Sequence, residues 1–239
     1  MKYQRVLVKL SGEALKDEES NSILSGDKLG DIASVIKELV IKGVQVCIVV
    51  GAGNIWRGKL AESLSLDAAK ADQMGMLGTI INALAICETL KNHGMKSTVF
   101  SSVEVEHMVA PFSLDKARKK LEKGEVVVFA GGTGNPFFTT DTCAALRAKE
   151  MQCDAILMGK NGVEGVYSDD PRVNKNAQLL KDLTFDEVLD RNLKVMDGTA
   201  VSLLRDSDII IRVFSMGEPS NFVKVVEGQN IGTTIHKGE

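Results

Sequence analysis

The stretch Val126–Asp141, VVVFAGGTGNPFFTTD, decides the fold class and supplies the first candidate site. Five apolar residues, Val126–Ala130, predict a buried strand, and the glycine-rich segment after them leads into a helix predicted to begin near Thr140–Asp141. Glycines let backbone N–H groups approach a ligand closely, and a helix N-terminus favours an anion. The paired phenylalanines add an apolar wall, and the threonines add polar groups. We therefore predict that Gly131–Asp141 binds a phosphorylated ligand.

Similar apolar runs recur along the chain and alternate with amphipathic segments. The runs are Val6–Leu10, Val44–Val50, Ser97–Phe100, Val126–Ala130, Ala155–Met158 and Ile209–Phe214. Their nearly continuous hydrophobicity predicts strands that are buried on both faces. Helices are predicted over Asp27–Lys42, from Asp72 to Asn92, over Ser113–Lys123 and from Thr140–Asp141 onward. This alternation indicates an α/β fold with a mainly parallel sheet, whose ligands bind at the carboxyl ends of the strands.

The segment Gly159–Leu183 departs from this pattern, since it is rich in Gly, Asn and Asp and has little periodicity. It is typical of a long loop or a hairpin excursion, and such loops are often functional. The chain shows no break in composition and has four prolines. We therefore expect residues 1–239 to form one domain with two lobes.

The composition narrows the class of protein. Hydrophobic residues make up 44% of the 239 residues and charged residues 26%, as expected for a globular protein in water. The net charge of −3 argues against a general nucleic-acid or anionic-membrane partner. No stretch is expected to be apolar enough to span a membrane, and no signal peptide is expected. The four cysteines, which form no C-x-x-C pair, are predicted to be reduced and mostly buried in a cytoplasmic protein.

Two further loops follow predicted strands. Lys9–Gly12 places an ammonium and backbone donors at a strand end, where the alternatives are a phosphate contact or a solvated lysine. Gly51–Lys59, GAGNIWRGK, nearly fits two phosphate-binding patterns. The dinucleotide pattern fails because Trp56 replaces its third glycine, and the P-loop pattern fails because Leu60 replaces its Ser or Thr. No clear helix start follows, but Arg57 offers a planar fork for phosphate.

Charged residues elsewhere leave alternatives open. Asp72 is either a helix cap, which is the commoner role, or a ribose ligand. Asp141 is either a helix cap or a carboxylate that fixes two lysines, with Lys194 and Asp197 in the later LKVMDG segment as candidate neighbours. The three histidines lack ligand spacing, so we expect no metal site made of protein side chains alone. The methionines Met74, Met76 and Met151 are expected to be core residues.

Seven segments, in order, resemble the amino acid kinase family, and within it the branch that phosphorylates UMP. They are KLSGEAL (Lys9–Leu15), GAGNIWRG (Gly51–Gly58), ADQMGMLGT (Ala71–Thr79), TGNPFFTTD (Thr133–Asp141), NGVEGVYSDDP (Asn161–Pro171), LKVMDG (Leu193–Gly198) and IRVFSM (Ile211–Met216). Together they span nearly the whole chain. The combination of KLSGEAL with TGNPFFTTD is highly specific, because other members share the fold but not this acceptor loop.

The resemblance implies a three-layer αβα sandwich that transfers a phosphoryl group from ATP, with Mg²⁺, to UMP in pyrimidine nucleotide biosynthesis. It implies that ATP is bound by Lys9, Leu10, Ser11, Gly12, Gly53, Arg57, Asn161, Tyr167 and Asp170. It implies that UMP is bound by Gly51, Arg57, Asp72, Thr133, Gly134, Asn135, Pro136, Phe137, Phe138, Thr139 and Thr140. The implied catalytic residues are Lys9, Asp141 and Lys194. A cytoplasmic homohexamer, inhibited by UTP and activated by GTP, is the implied assembly.

Two departures from the family pattern and three rival functions accompany this resemblance. Ala52 stands where many members have glycine, and Asp17–Gly26 is not the glycine-rich form linked to a GTP response. The rivals are a kinase acting on a carboxylate or carbamate, a non-catalytic nucleotide-binding or storage protein, and a regulatory protein that binds DNA. The phenylalanine-containing loop suits a base and sugar better than an amino acid. Lys9, Asp141 and Lys194 together argue against pure binding.

Overall fold

A single sheet organises the protein in a computed structural model that describes residues 1–17, 19–20 and 22–238. The strands of this sheet are β1 (Arg5–Leu10), β2 (Gln45–Val50), β3 (Ser97–Ser101), β4 (Ala110–Pro111), β5 (Val126–Ala130), β6 (Ala155–Lys160), β9 (Asp182–Thr184), β10 (Ile210–Ser215) and β11 (Thr233–His236). Two further strands, β7 (Val166–Tyr167) and β8 (Leu179–Leu180), form a separate hairpin. Within the described residues, nine strands lie in the order β4-β3-β5-β2-β1-β6-β10-β11-β9. Every neighbouring pair is parallel except β10 and β11. The predicted mainly parallel sheet is confirmed.

Helices cover both faces of the sheet. They are α1 (Gly26–Ile41), α2 (Gly58–Ser63), α3 (Ala68–Asn92), α4 (Leu114–Glu122), α5 (Thr140–Met151), α6 (Phe185–Asp190), α7 (Gly198–Leu204) and α8 (Asn221–Val226), with a 3-10 turn at Gly12–Leu15. One core packs α1, α3 and α8 against the sheet, and the other packs α4, α5, α6 and α7 against the opposite face. The expected three-layer αβα sandwich is confirmed.

The helix ends show which local signals the sequence carried. The Ser25 side chain accepts a hydrogen bond from the N–H of Lys28 and so caps α1, which ends before Gly43 in the left-handed region (φ +84°). Helix α3 begins four residues before the predicted Asp72, because Asp67 is its cap. The helix-cap alternative for Asp72 is therefore wrong. A short helix begins at Gly58, so the expectation of no helix start after that loop is also wrong.

Helix α3 departs from two further expectations. It has 25 residues, and its length and mean hydropathy of 1.2 over an 18-residue window meet the composition test for a membrane span. The expectation that no stretch is apolar enough to span a membrane is thus wrong by length and composition, although half of the window is buried inside the protein. Met74 was expected in the core, as Met76 and Met151 are, but it is 41% exposed and forms a stripe with the exposed Leu77 and Ile81.

Two other regions follow the sequence more closely. Within Gly159–Leu183, β6 continues to Lys160 and the hairpin of β7 and β8 follows, so the hairpin alternative is confirmed. All four cysteines are buried free thiols, as predicted. Of the Asp17–Gly26 segment, Glu18 and Asn21 lie outside the described residues.

Candidate active site

The candidate site lies where the strand order changes direction. β1 is flanked by β2 on one side and β6 on the other, and all three strands are parallel. The loops after β1, β2, β5 and β6 therefore meet at one edge of the sheet. A crevice opens at such a point because successive connections leave in opposite directions. All four of these loops carry residues that the sequence predicts to bind a ligand.

A salt bridge between Lys9 and Asp141 lies at the centre of this edge. Lys9 Nζ is 2.8 Å from Asp141 Oδ1, and the two side chains are only 14% and 20% exposed. Asp141 does not cap α5, because the Thr139 hydroxyl accepts the N–H groups of Asp141 and Thr142. The helix-cap alternative for Asp141 and the solvated-lysine alternative for Lys9 are therefore both wrong.

Lys160 is the residue that sequence reasoning missed. It ends β6, two positions beyond Met158, which pairs with Lys9 across the two strands. Burial and the nearby Lys9 ammonium lower the pKa of Lys160, while Asp141 acts in the opposite direction. Its Nζ donates a hydrogen bond to the carbonyl of Val195 at 3.3 Å. The available signal was a lysine at the end of an apolar strand, the same signal that identified Lys9.

Lys194 and Asp197 do not lie together, because Lys194 lines a cavity and Asp197 caps a helix. Lys194 lies near Asp169 and Asp170, whose pKa values are lowered mainly by their own hydrogen bonds and further by this ammonium. It lines the same cavity as Lys160, and its catalytic role stays a prediction. Asp197 caps α7 and accepts hydrogen bonds from the hydroxyls of Thr139 and Thr142. Although burial opposes it, these bonds hold the pKa of Asp197 below its usual value.

The loop after β2 packs directly on the loop after β1. A Cβ atom on Gly12 would lie 2.4 Å from Asn54 Oδ1 and 2.6 Å from the backbone N of Gly53. Buried Asn82 on α3 holds this loop by donating to the Gly51 carbonyl and exchanging hydrogen bonds with Asn54. The loop after β2 is thus held in place both by the loop after β1 and by α3.

Arg57 extends from the end of that loop. Its Nη2 is 2.8 Å from Glu13 Oε1, and its Nε donates to the Gly53 carbonyl at 3.0 Å. Both charged side chains are more than half exposed. Because an exposed ion pair contributes little, Arg57 can exchange Glu13 for a phosphate at small cost.

The glycine-rich loop after β5 is attached to α3 at both of its ends. The N–H of Gly131 donates to Thr79 Oγ1 at 2.8 Å, and the N–H of Phe137 donates to Asp72 Oδ2 at 2.7 Å. Gly131 and Gly134 have φ values of +74° and +83°. The loop therefore needs glycine at these turns and is held by hydrogen bonds to side chains that lie 52 and 65 residues earlier in the sequence.

Two cavities lie next to the Lys9–Asp141 pair, since Thr140 lines one of them and Lys160 lines the other. One, of about 300 Å³, lies under the loop after β5, and its predicted lining residues are Gly53, Asp72, Thr133, Phe138, Thr139 and Thr140. The other, of about 550 Å³, lies on the β6 side and contains the predicted Asn161, Tyr167, Asp170 and Lys194 together with Lys160. Phe138 supplies the predicted apolar wall.

Other predicted site residues lie outside both cavities. They are Lys9, Leu10, Ser11, Gly12, Gly51, Arg57, Gly134, Asn135, Pro136, Phe137 and Asp141. Phe137 is 73% exposed, so the expected wall is formed by one phenylalanine and not by two. Leu10 is buried in the core, and Ser11 caps the 3-10 turn by accepting the N–H of Ala14. The remaining roles stay predictions.

Comparisons with known proteins agree with one another. The amino acid kinase family profile matches residues 4–215. A curated uridylate kinase from Streptococcus thermophilus is 47% identical over 98% of this chain and 95% of its own length. The crystal structure of UMP kinase from Ureaplasma parvum is similar with a TM-score of 0.93 and 43% identity, over 99% of this chain and 100% of that one. The UMP kinase from Bacillus anthracis gives a TM-score of 0.96 and 40% identity, over 100% of this chain and 98% of that one.

Proposed function

The chain belongs to the amino acid kinase family, and from that premise we infer that it transfers a phosphoryl group from ATP to UMP, forming UDP and ADP in pyrimidine nucleotide biosynthesis. The observation that carries this function is the partly buried Lys9–Asp141 salt bridge, with Lys160 beside it, next to two cavities. A protein that only stored nucleotides would have no use for such a pair next to its two ligand cavities.

The cavity of about 300 Å³ under the loop after β5, the acceptor cavity, fits UMP in its chemistry. Phe138 offers a face for the uracil ring, and Asp72 offers a carboxylate for ribose hydroxyls. The UMP phosphate would then lie near Arg57 and the backbone of the loop after β2. Its second pKa is about 6, so it is largely ionised at neutral pH and attacks without a strong general base. The residues therefore need to position two anions and not to remove a proton.

The cavity of about 550 Å³ on the β6 side, the donor cavity, fits ATP as its magnesium complex. Lys9, Lys160 and Arg57 supply positive charge for a triphosphate, with Asp141 as the carboxylate among them. Apart from its ion pair with Lys9, Asp141 Oδ1 accepts no hydrogen bond from the described residues. Mg²⁺ arrives with the nucleotide and neutralises part of its phosphate charge when bound.

The chain's own residues then stabilise the transferred group. Phosphoryl transfer spreads negative charge over the three equatorial oxygens, and fixed cations in a partly buried site stabilise that charge more strongly than water does. Lys9 and Lys160 lie on neighbouring strands and so approach the group from the sheet edge. Asp141 orients Lys9 and offsets the repulsion between the two ammonium groups.

The assembly and its regulation belong to the same proposal. We propose that residues 1–239 form one domain. Its acceptor half lies around β2, β3 and β5, and its ATP half lies around β6 and β10. The exposed stripe of Met74, Leu77 and Ile81 on α3 supports self-association, and a homohexamer is the proposed state. UTP inhibition, GTP activation and a cytoplasmic location are also proposed, the last supported by four free thiols. Light scattering on the purified protein tests the hexamer.

A coupled assay of ADP release tests the function. MgATP is supplied with UMP, dUMP, CMP, glutamate or aspartate as separate acceptors. Turnover with UMP alone is the expected result. Turnover with an amino acid would keep the fold and overturn the substrate, and nucleotide binding without any turnover would overturn catalysis itself.

A further inference from the structure

Arg147 on α5 is a buried charge that the proposed mechanism does not use. Its side chain is only 4% exposed, and it lines neither substrate cavity. Its Nε has no hydrogen-bond partner in the described part of the chain. Burying a charged group costs several kcal/mol unless its remaining contacts are well formed. The contacts of its other two nitrogens therefore have to offset the cost of burying this charge.

The guanidinium is held in three directions. Its carbon lies 3.7 Å from the centre of the Phe112 ring, which it covers as a cation–π contact. Nη1 pairs with the carboxylate of Glu150, one turn further along α5. Nη2 donates a hydrogen bond to Ser102 Oγ at 2.9 Å. A planar fork can make these contacts at once, whereas a lysine ammonium cannot.

Ser102 connects Arg147 to the glycine-rich loop after β5, which is the acceptor loop. Its hydroxyl donates to the Gly132 carbonyl at 2.8 Å. A Cβ atom on Gly134 would lie 3.0 Å from the Ser102 carbonyl oxygen, so the second glycine turn rests on the Ser102 backbone. The N–H of Ser102 in turn donates to the Ala130 carbonyl at 3.0 Å. Ser102 therefore supports the loop through both its hydroxyl and its backbone, in addition to the hydrogen bond that the loop makes to Thr79.

We propose that Arg147 is a positioning residue that acts through Ser102 to hold the Gly131–Thr139 loop in the shape that binds the acceptor nucleotide. This inference rests on the proposed function, since that function assigns the loop to UMP. The same helix carries Asp141 in its first turn. A single element, α5, thereby carries one partner of the Lys9–Asp141 salt bridge and supports the acceptor loop through Ser102.

Arg147, Ser102 and the Gly132 carbonyl form a chain of hydrogen bonds, called the relay below. Ser102→Ala is the primary test, because it removes one hydroxyl from this relay and changes no charge. We expect the KM for UMP to rise about 3- to 10-fold, which corresponds to roughly 1 kcal/mol for one lost hydrogen bond. The KM for MgATP should change less than about twofold. Hydrogen exchange of the peptide covering residues 131–139, measured without nucleotide, should accelerate. Arg147→Lys should give the same pattern.

Arg118→Met is the matched control. Arg118 also binds α5, donating from Nε and Nη2 to the Glu150 carbonyl at 2.8 and 2.6 Å, but it makes no hydrogen bond to Ser102. It should leave exchange in the loop and the KM for UMP unchanged, whatever it does to thermal stability.

The outcomes separate the relay from the function. Wild-type loop exchange and an unchanged KM for UMP in Ser102→Ala would overturn the relay, and so would an equal rise in both KM values. If wild-type protein does not phosphorylate UMP, the proposed function fails, and the loop exchange alone then decides whether Arg147 and Ser102 order the loop.

Discussion

Removing the charge of Asp141 is the perturbation that most directly tests the candidate site. Asp141→Asn keeps the shape of the side chain but leaves the Lys9 ammonium without its anion. The two groups lie 2.8 Å apart and are 14% and 20% exposed. At an effective dielectric constant of about 20, charges at this distance attract by about 6 kcal/mol before desolvation is subtracted. Desolvation offsets much of that value, as it does for other partly buried pairs.

The remaining effect should appear in both catalysis and stability. Lys9 would repel Lys160 and lose its fixed position, and losing one oriented charge contact typically costs 100-fold or more in kcat, about 2.7 kcal/mol. We expect a loss of about 100-fold in kcat, with the KM for UMP changed less than about threefold. The free energy of unfolding should fall by about 2 kcal/mol, which lowers Tm by about 4–8 °C in a chain of this size.

The assay is ADP release at saturating UMP and MgATP, with calorimetry of the same samples. Asp208→Asn is the matched control, because Asp208 pairs with Lys237 through Oδ1 and Nζ at 2.5 Å but both groups are more than half exposed. That control should leave kcat unchanged and alter stability by less than about 1 kcal/mol. A kcat within threefold of wild type in folded Asp141→Asn would refute the assignment of the pair to catalysis.

Three further predictions follow from other parts of the site. Since burial and a neighbouring ammonium lower the pKa of Lys160, its charge is lost as pH rises through that lowered value, so kcat/KM for MgATP should decline at a lower pH than an ordinary lysine would give. Lys160→Arg keeps the charge and should move the decline to higher pH, and an identical pH profile would contradict this. Asp72→Asn weakens the 2.7 Å bond that the carboxylate accepts from the acceptor loop and should raise the KM for UMP about 5- to 10-fold, with a smaller change in kcat; steady-state kinetics that show the reverse split would reject it. Gly12→Ala places a methyl group 2.4 Å from Asn54 Oδ1 and should cost about 1–3 kcal/mol of stability by calorimetry and raise both KM values, whereas Gly30→Ala, which meets no atom within 4 Å, should do neither.

The sequence predicted six of the nine strands that the described residues place in the sheet, because the hydrophobic signal of those six is local, and it missed the short strands β4, β9 and β11. A run such as Val126–Ala130 identifies itself by hydrophobicity, and the structure ends that strand at the predicted residue. The glycine-rich loops after strands were found for the same reason. Since parallel strands bring their carboxyl ends to one edge, knowing the strands was enough to gather most of the site.

The errors arose where a residue's role depends on a distant partner. Lys160 looked like the start of a loop, because its approach to Lys9 depends on two strands nearly 150 residues apart pairing side by side. Asp72 resembled a helix cap until the structure showed its bond to Phe137 and placed Asp67 at the helix start. Arg147 has nothing local to mark it, since an arginine within a helix is usually solvated.

The central position of β1 has a consequence for how the protein is made. Residues that line the acceptor cavity all lie between Val49 and Cys143, whereas β1 gains its second neighbour only from β6 and the sheet continues through β10. At about 5–20 residues per second, a ribosome needs roughly 1 to 3 seconds to add residues 144–160, which end with β6. During that interval one side of β1 is an open strand edge, the kind of surface on which nascent chains aggregate. Lys160 is also added after the residues that line the acceptor cavity, so a chain that ends before β6 holds the acceptor side of the centre without the means to transfer a phosphoryl group.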